Sequence, residues 1–231
     1  MLPGRFNVRA DLARFIDYTL LRPNATTPEF DTLCKEAAKY DFWSVCITPS
    51  YVRHAAERLR GSRVKVCTVI GFPLGYNVTS VKLAEARRAV EDGAAEVDMV
   101  SNFGALKSGD EGTYYGDIDQ VASYCRSTGV LLKVILECCY LTDDEKARAA
   151  RIAESAGADF VKTSTGFGPG GATVADVILL KRALAKGTKV KAAGGIGSLS
   201  QALDLVRAGA DRLGTSHGVK IMEELPVPAV K

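Results

Sequence analysis

Apolar and polar positions along this chain sort into short runs of two kinds that take turns from end to end. The segments Phe15 to Leu20, Phe42 to Thr48, Val64 to Ile70, Ala95 to Val100, Leu131 to Glu137, Asp159 to Thr163, Val190 to Ala193 and Asp211 to Thr215 are brief, apolar-rich and partly alternating, the pattern of buried strands. Between them, Pro28 to Lys39, Tyr51 to Leu59, Ala84 to Asp92, Asp117 to Ser127, Lys146 to Ala156, Thr173 to Ala185 and Leu199 to Ala208 carry helical patterns. Strands that alternate with helices predict a parallel sheet. Three of the helical segments stop at Gly-Ala (Gly93-Ala94, Gly157-Ala158, Gly209-Ala210), and a strand begins directly afterwards. Glycine there suits a left-handed helix cap, so helix, Gly-Ala and strand form a repeating unit. About eight such units in 231 residues fit one α/β domain, a single (β/α)8 TIM barrel over residues 1–231, with an N-terminal arm (1–14) and a C-terminal tail (224–231). An open doubly wound sheet is the competing architecture, and the strand count disfavours it.

Composition adds exclusions. The 47% hydrophobic fraction is ordinary for a globular α/β chain, and a net charge of +3 from 30 basic and 27 acidic residues is no nucleic-acid footprint. The basic runs Arg53 to Lys65 and Lys181 to Lys191 lack interleaved aromatics and read as solvated helix faces. No apolar stretch approaches a membrane span, and Met1 to Asp11 has no signal-peptide core. Six cysteines occur without a C-x-x-C pair, and Cys138-Cys139 are adjacent, so small buried thiols in a reducing cytoplasm are expected. With only His54 and His217, a histidine-rich metal site is not expected, and no sequence feature leads to the expectation of a cofactor.

The chemistry concentrates on a few charges placed on strands. In Phe160-Val161-Lys162-Thr163-Ser164-Thr165-Gly166, a lysine ends an apolar strand just before a loop of small residues. Burying an ammonium is costly and favours its neutral form, a nucleophile for carbonyls. Inward residues near the C-terminal ends of barrel strands meet in one space, which Asp17, Asp98, Glu137, Lys162 and Lys191 can reach. Lys191 held as a cation would favour the free amine at Lys162. Asp98 would hold Lys191 or move protons, and Asp17 would orient the network. Lys133 and Glu137 read equally as structural ions or as members of the site. Glycine clusters at Gly166 to Gly168, Gly194 to Gly197 and Gly214 to Gly218 follow strands six, seven and eight, where barrels commonly hold a phosphate.

Together, Ile16 to Leu21, Val66 to Pro73 with Gly75, Glu96 to Val100, Leu132 to Glu137, Phe160 to Gly171, Lys191 to Ile196 and Arg212 to Ser216 resemble the deoxyribose-phosphate aldolase family from about Phe15 onwards. That resemblance implies a metal-free class I aldolase that reversibly cleaves 2-deoxy-D-ribose 5-phosphate to acetaldehyde and D-glyceraldehyde 3-phosphate. It implies Lys162 as the Schiff-base lysine, Lys191 as the second lysine, and Asp98 and Asp17 as the proton-relay carboxylates. It further implies phosphate held near Thr165, Gly166, Gly194, Gly195, Gly214 and Ser216, and Cys46 as a wall at the acetaldehyde end.

Three positions depart from the family pattern. Gly197 stands where arginine is common, His217 where a second serine is common, and Cys138 where threonine is common. His217 and Arg22, the latter in a loop where lysine is usual, are expected to supply phosphate donors. Alternative readings are another phosphate-binding barrel enzyme of transaldolase or isomerase type, and a non-catalytic sugar-phosphate binder. The partners expected are a small phosphorylated sugar and a short aldehyde, with neither nucleic acid nor membrane, in a homodimer or homotetramer.

Overall fold

The computed structural model of the chain describes residues 8–226. Eight parallel strands close on themselves in chain order: β1 Ile16–Leu20, β2 Ser44–Ile47, β3 Lys65–Ile70, β4 Glu96–Val100, β5 Leu131–Ile135, β6 Phe160–Lys162, β7 Lys189–Ala193 and β8 Arg212–Thr215. The helices are α1 Val8–Ala13, α2 Thr27–Tyr40, α3 Val52–Arg58, α4 Thr79–Glu91, α5 Phe103–Lys107, α6 Glu111–Thr128, α7 Asp143–Ser155, α8 Val174–Ala183, α9 Leu199–Arg207 and α10 Gly218–Glu223. The open doubly wound alternative is thereby excluded, because β8 pairs with β1 through Ile16–Leu213, Asp17–Gly214 and Tyr18–Thr215.

The repeating unit has one hydrogen-bond logic. After α4, α7 and α9 the glycines adopt φ of 102°, 93° and 109°. The following alanine N–H then reaches back to the carbonyl five residues earlier: Ala94 to Ala89, Ala158 to Ala153 and Ala210 to Leu205. The next residue donates to the preceding strand, as Ala95 does to Val66, Asp159 to Leu132 and Asp211 to Val190. Each cap therefore ends a helix and sets the register of the next strand in two residues. Helix starts are fixed just as locally, by capping boxes at Thr26 with Glu29 and at Thr142 with Glu145.

Strand alternation divides the sheet into two environments. Val97, Met99, Val134, Val161, Val190 and Leu213 are fully buried in the shell between strands and helices. The intervening residues point into the barrel and include Asp17, Glu96, Asp98, Lys133, Lys162, Lys191 and Arg212, all buried. The sequence expectation that Glu137 shares the inward face of Lys133 fails. β5 ends at Ile135, and Glu137 turns into the left-handed region at φ 54°, which carries its side chain out of the strand. Residues 1–7 and 227–231 lie outside the described part, and Leu12, Ala13 and Leu225 are buried in the core. Among the described residues no helix is long and apolar enough to cross a membrane.

Candidate active site

The strand ends converge on a chain of ion pairs. Asp98 on β4 is fully buried; its Oδ2 accepts from Lys162 Nζ and from Lys191 Nζ, each at 2.8 Å, and its Oδ1 accepts from Lys133 Nζ at 2.9 Å. Lys191 Nζ also lies 2.5 Å from Asp17 Oδ2. The other oxygen of Asp17 accepts from Ser44 Oγ at 2.7 Å and from Arg212 Nη1 at 2.6 Å. Glu96 completes the cluster, with Oε2 at 2.6 Å from Lys133 and 3.4 Å from Arg212. This connected group holds three carboxylates (Asp17, Glu96, Asp98) and four cationic side chains (Lys133, Lys162, Lys191, Arg212). One cation has no carboxylate of its own. Lys162 is the member that lines the open cavity.

Register explains the convergence. Lys162 pairs with Lys191, and Lys191 with Arg212, on neighbouring parallel strands, so all three point the same way. Space for Lys191 comes from Gly214, where a Cβ would approach Lys191 Cε and Ala193 Cβ to 3.0 Å. Gly214 therefore makes room for the second lysine as well as lining the cavity.

Burial works against the ionised Asp98, but Lys133, Lys162 and Lys191 outweigh it and hold its carboxyl well below the usual carboxylate range. Burial likewise opposes ionised Asp17, while Lys191, Arg212 and Lys133 depress its pKa. Burial opposes the cations at Lys133 and Lys191, yet the same carboxylates raise both above the ordinary lysine value. Depressed carboxylates stabilise the fold fully above their unfolded pKa of about 4, and the gain is lost as pH falls through the folded values. Raised lysines stabilise it fully below about pH 10, and that gain is lost as pH rises through theirs. The unfolding midpoint in urea is therefore expected to stay level from about pH 5 to 9 and to drop below about pH 4. A fall that begins near pH 6 would contradict this.

Above Lys162 opens a cavity of about 370 Å³. Of the residues expected from sequence, Thr165, Gly166, Gly194, Gly195, Gly214, Ser216, His217 and Arg22 line it together with Lys162. Asp98, Lys191 and Asp17 lie beneath its floor, fully buried. Cys46 departs from the expected wall position. It is also fully buried, packed with Leu21, Cys67 and Val69, its Sγ 3.9 Å from Asp98 Oδ2. Thr165 is committed to the protein, its hydroxyl donating to Glu137 Oε2 at 2.5 Å and accepting from Phe167 N at 3.0 Å. Glu137 is thus a loop-holding residue. At the mouth, Ser216 Oγ is 3.3 Å from His217 Nδ1, while Arg22 is paired with Glu29 and donates to Asn24 at 3.1 Å.

Glu96, Arg212, Ser44 and Trp43, which form the layer below the lysines, are not among the site residues expected from sequence, although Glu96 shares a strand face with Asp98. Period-two alternation from Asp98 to Glu96 was the available signal for the first of them. Cys46, Cys67 and Asp98 place three possible metal donors within 4.8 Å of one another. Lys133 Nζ at 3.3 Å from Cys67 Sγ, with Lys133 and Lys191 on Asp98, places ammonium groups on two of those donors and disfavours a cation there.

A family model for DeoC/LacD family aldolases matches residues 13–223. The chain belongs to that family. Among its relatives, the Carboxydothermus hydrogenoformans protein named deoxyribose-phosphate aldolase is 53% identical over 216 residues, covering 93% of this chain and 95% of its own. A Coccidioides immitis crystal structure, 42% identical, superposes with a TM-score of 0.90 over 94% of this chain and 86% of its own. The deoxyribose phosphate aldolase of Aeropyrum pernix, described as tetrameric, is 38% identical with a TM-score of 0.87, covering 95% of this chain and 92% of its own. The eight-stranded barrel and the lysine at the end of its sixth strand thus sit in an aldolase family.

Proposed function

We propose that this chain is a class I aldolase that reversibly cleaves 2-deoxy-D-ribose 5-phosphate to acetaldehyde and D-glyceraldehyde 3-phosphate. The observation that carries the reading is the sharing of Asp98 Oδ2 by Lys162 and Lys191, each at 2.8 Å, on the floor of the cavity. Three carboxylates neutralise three cations, and the excess is removed if Lys162 is the neutral amine. A neutral amine attacks the substrate aldehyde carbon, and loss of water from the carbinolamine leaves an iminium. The iminium withdraws electrons as the C2–C3 bond breaks, with the C3 hydroxyl proton passing through a water to Asp98 as base. D-glyceraldehyde 3-phosphate leaves. The remaining two-carbon enamine is reprotonated, and hydrolysis frees acetaldehyde and the lysine. Lys191, anchored by Asp17 and Asp98, stays cationic and supplies the field that favours a neutral neighbour.

The phosphate end is assigned to the glycine-lined mouth, with Ser216, His217 and Arg22 as side-chain donors. Because Arg22 is shared with Glu29, we expect His217→Ala to raise KM for the phosphorylated sugar about tenfold and Arg22→Ala less, with little change in kcat for unphosphorylated deoxyribose. Equal effects on both sugars would remove these residues from phosphate recognition. The reading also takes the chain to be a homodimer or homotetramer, supported by the tetrameric Aeropyrum pernix relative, which light scattering tests. Six unpaired cysteines, five of them buried, suit a reducing cytoplasm. Incubation with 2-deoxyribose 5-phosphate tests the activity itself. Release of both products in equal amounts supports the assignment, and phosphate-sugar turnover without acetaldehyde contradicts it.

A further inference from the structure

Arg212 lies below the cavity, only 3% exposed, and touches no part of the open site. Its guanidinium sits 4.2 Å from the centre of the Trp43 ring and 5.4 Å from that of Phe160. Its Nη1 reaches Asp17 Oδ1 at 2.6 Å and Glu96 Oε2 at 3.4 Å. Trp43 is itself fixed, since Nε1 donates to Glu96 Oε1 at 2.6 Å. We propose that Arg212 is a positioning residue for the Schiff-base lysine, fixing the carboxylate that anchors Lys191 and completing the charge count that leaves Lys162 uncharged. The inference rests on the aldolase reading and extends it to a residue that meets no substrate.

The geometric part follows from how Asp17 divides its oxygens. Arg212 and Ser44 take Oδ1, which turns Oδ2 toward Lys191 Nζ. Lys191 then bridges to Asp98 Oδ2, where Lys162 also lands. A planar guanidinium between two aromatic rings is held in orientation as well as place, which an ammonium cannot reproduce.

The electrostatic part follows from the ionisable groups of the buried cluster that reaches Lys162 through Asp98: Asp17 on β1, Cys46 on β2, Cys67 on β3, Glu96 and Asp98 on β4, Lys133 on β5, Lys191 on β7 and Arg212 on β8. With Arg212 present, three carboxylates are matched without help from Lys162. Without its charge, three carboxylates face three lysines, and the cationic form of Lys162 becomes the balanced one. Removing a carboxylate from the same layer has the opposite sign. Burial disfavours the Arg212 cation, but Asp17 and Glu96 outweigh it and raise its pKa, so this charge is constant across the working pH range.

The test is the rate at which acetaldehyde and cyanoborohydride trap Lys162, measured from pH 6 to 10 in the full-length wild type and three variants. Arg212→Met is expected to shift the profile to higher pH and to slow trapping at neutral pH about tenfold. Glu96→Gln is expected to shift it to lower pH. Arg212→Lys, which keeps the charge, should keep the wild-type midpoint while kcat for cleavage falls through the loosened grip on Asp17. Opposite shifts in the first two variants support the inference, because general damage to the barrel would not reverse sign with charge. Shifts of one sign in both, an unmoved profile in Arg212→Met, or a displaced midpoint in Arg212→Lys would overturn it. Should Arg212→Met fail to fold, the other two profiles decide alone by the same criteria. A wild-type chain left untrapped at Lys162 at every pH would instead overturn the aldolase reading.

Discussion

Lys162→Met is expected to abolish aldol cleavage, with turnover falling by at least about 10⁴-fold, while the fold is retained. The lysine is the one member of the cluster that both meets the cavity and shares its carboxylate, so its loss removes the nucleophile without orphaning a carboxylate. Asp98 keeps Lys191 and Lys133, and the methionine side chain fills the vacated stem. Unfolding in urea should therefore give a midpoint close to that of the wild type, together with loss of product formation. Residual turnover within about tenfold of the wild type would place the nucleophile elsewhere.

Asp98→Asn is expected to have the opposite character, damaging stability and catalysis together. Three lysine side chains, Lys133, Lys162 and Lys191, converge on that carboxylate inside a fully buried site. Removal of its charge leaves three cations, Lys133, Lys191 and Arg212, facing two carboxylates, Asp17 and Glu96. Loss of one partner in a buried ionic cluster typically costs about 3–5 kcal/mol, because the remaining charges stay desolvated. The catalytic loss should reach about 10²–10⁴-fold, the range associated with a positioned acid or base. Urea unfolding and single-turnover cleavage separate the two effects. A variant as stable as the wild type would show that the lysines do not depend on Asp98.

Much of this arrangement was legible in the chain because it is written in local rules. The Gly-Ala steps at Gly93, Gly157 and Gly209 combine a positive-φ cap with a fixed strand register, so helix ends and strand starts could be placed together. Lys162 stood out because a charge at the end of an apolar strand conflicts with burial unless it has a use. The short α5 and α10 were missed, since five or six residues carry too little periodicity. The early start of α6 at Glu111 was missed because Gly112 and Gly116 look like breakers, although Asp110 caps the helix through Thr113 N at 2.9 Å.

The site was less legible where it depends on closure. That Arg212 meets Asp17 follows only from the pairing of β8 with β1, a contact spanning almost the whole chain. The position of Cys46 behind Asp98, and the left-handed turn at Glu137, are likewise products of the closed barrel. Sequence spacing does not encode them.

The central claim is that the amine at the end of the sixth strand forms an imine with a small aldehyde, and it is tested most directly by locating the trapped adduct. The chain is incubated with acetaldehyde and borohydride, digested, and mapped by mass spectrometry. An ethyl group on Lys162, absent from the Lys162→Met variant, is the predicted result. Modification spread over exposed lysines with Lys162 unmodified would contradict the account.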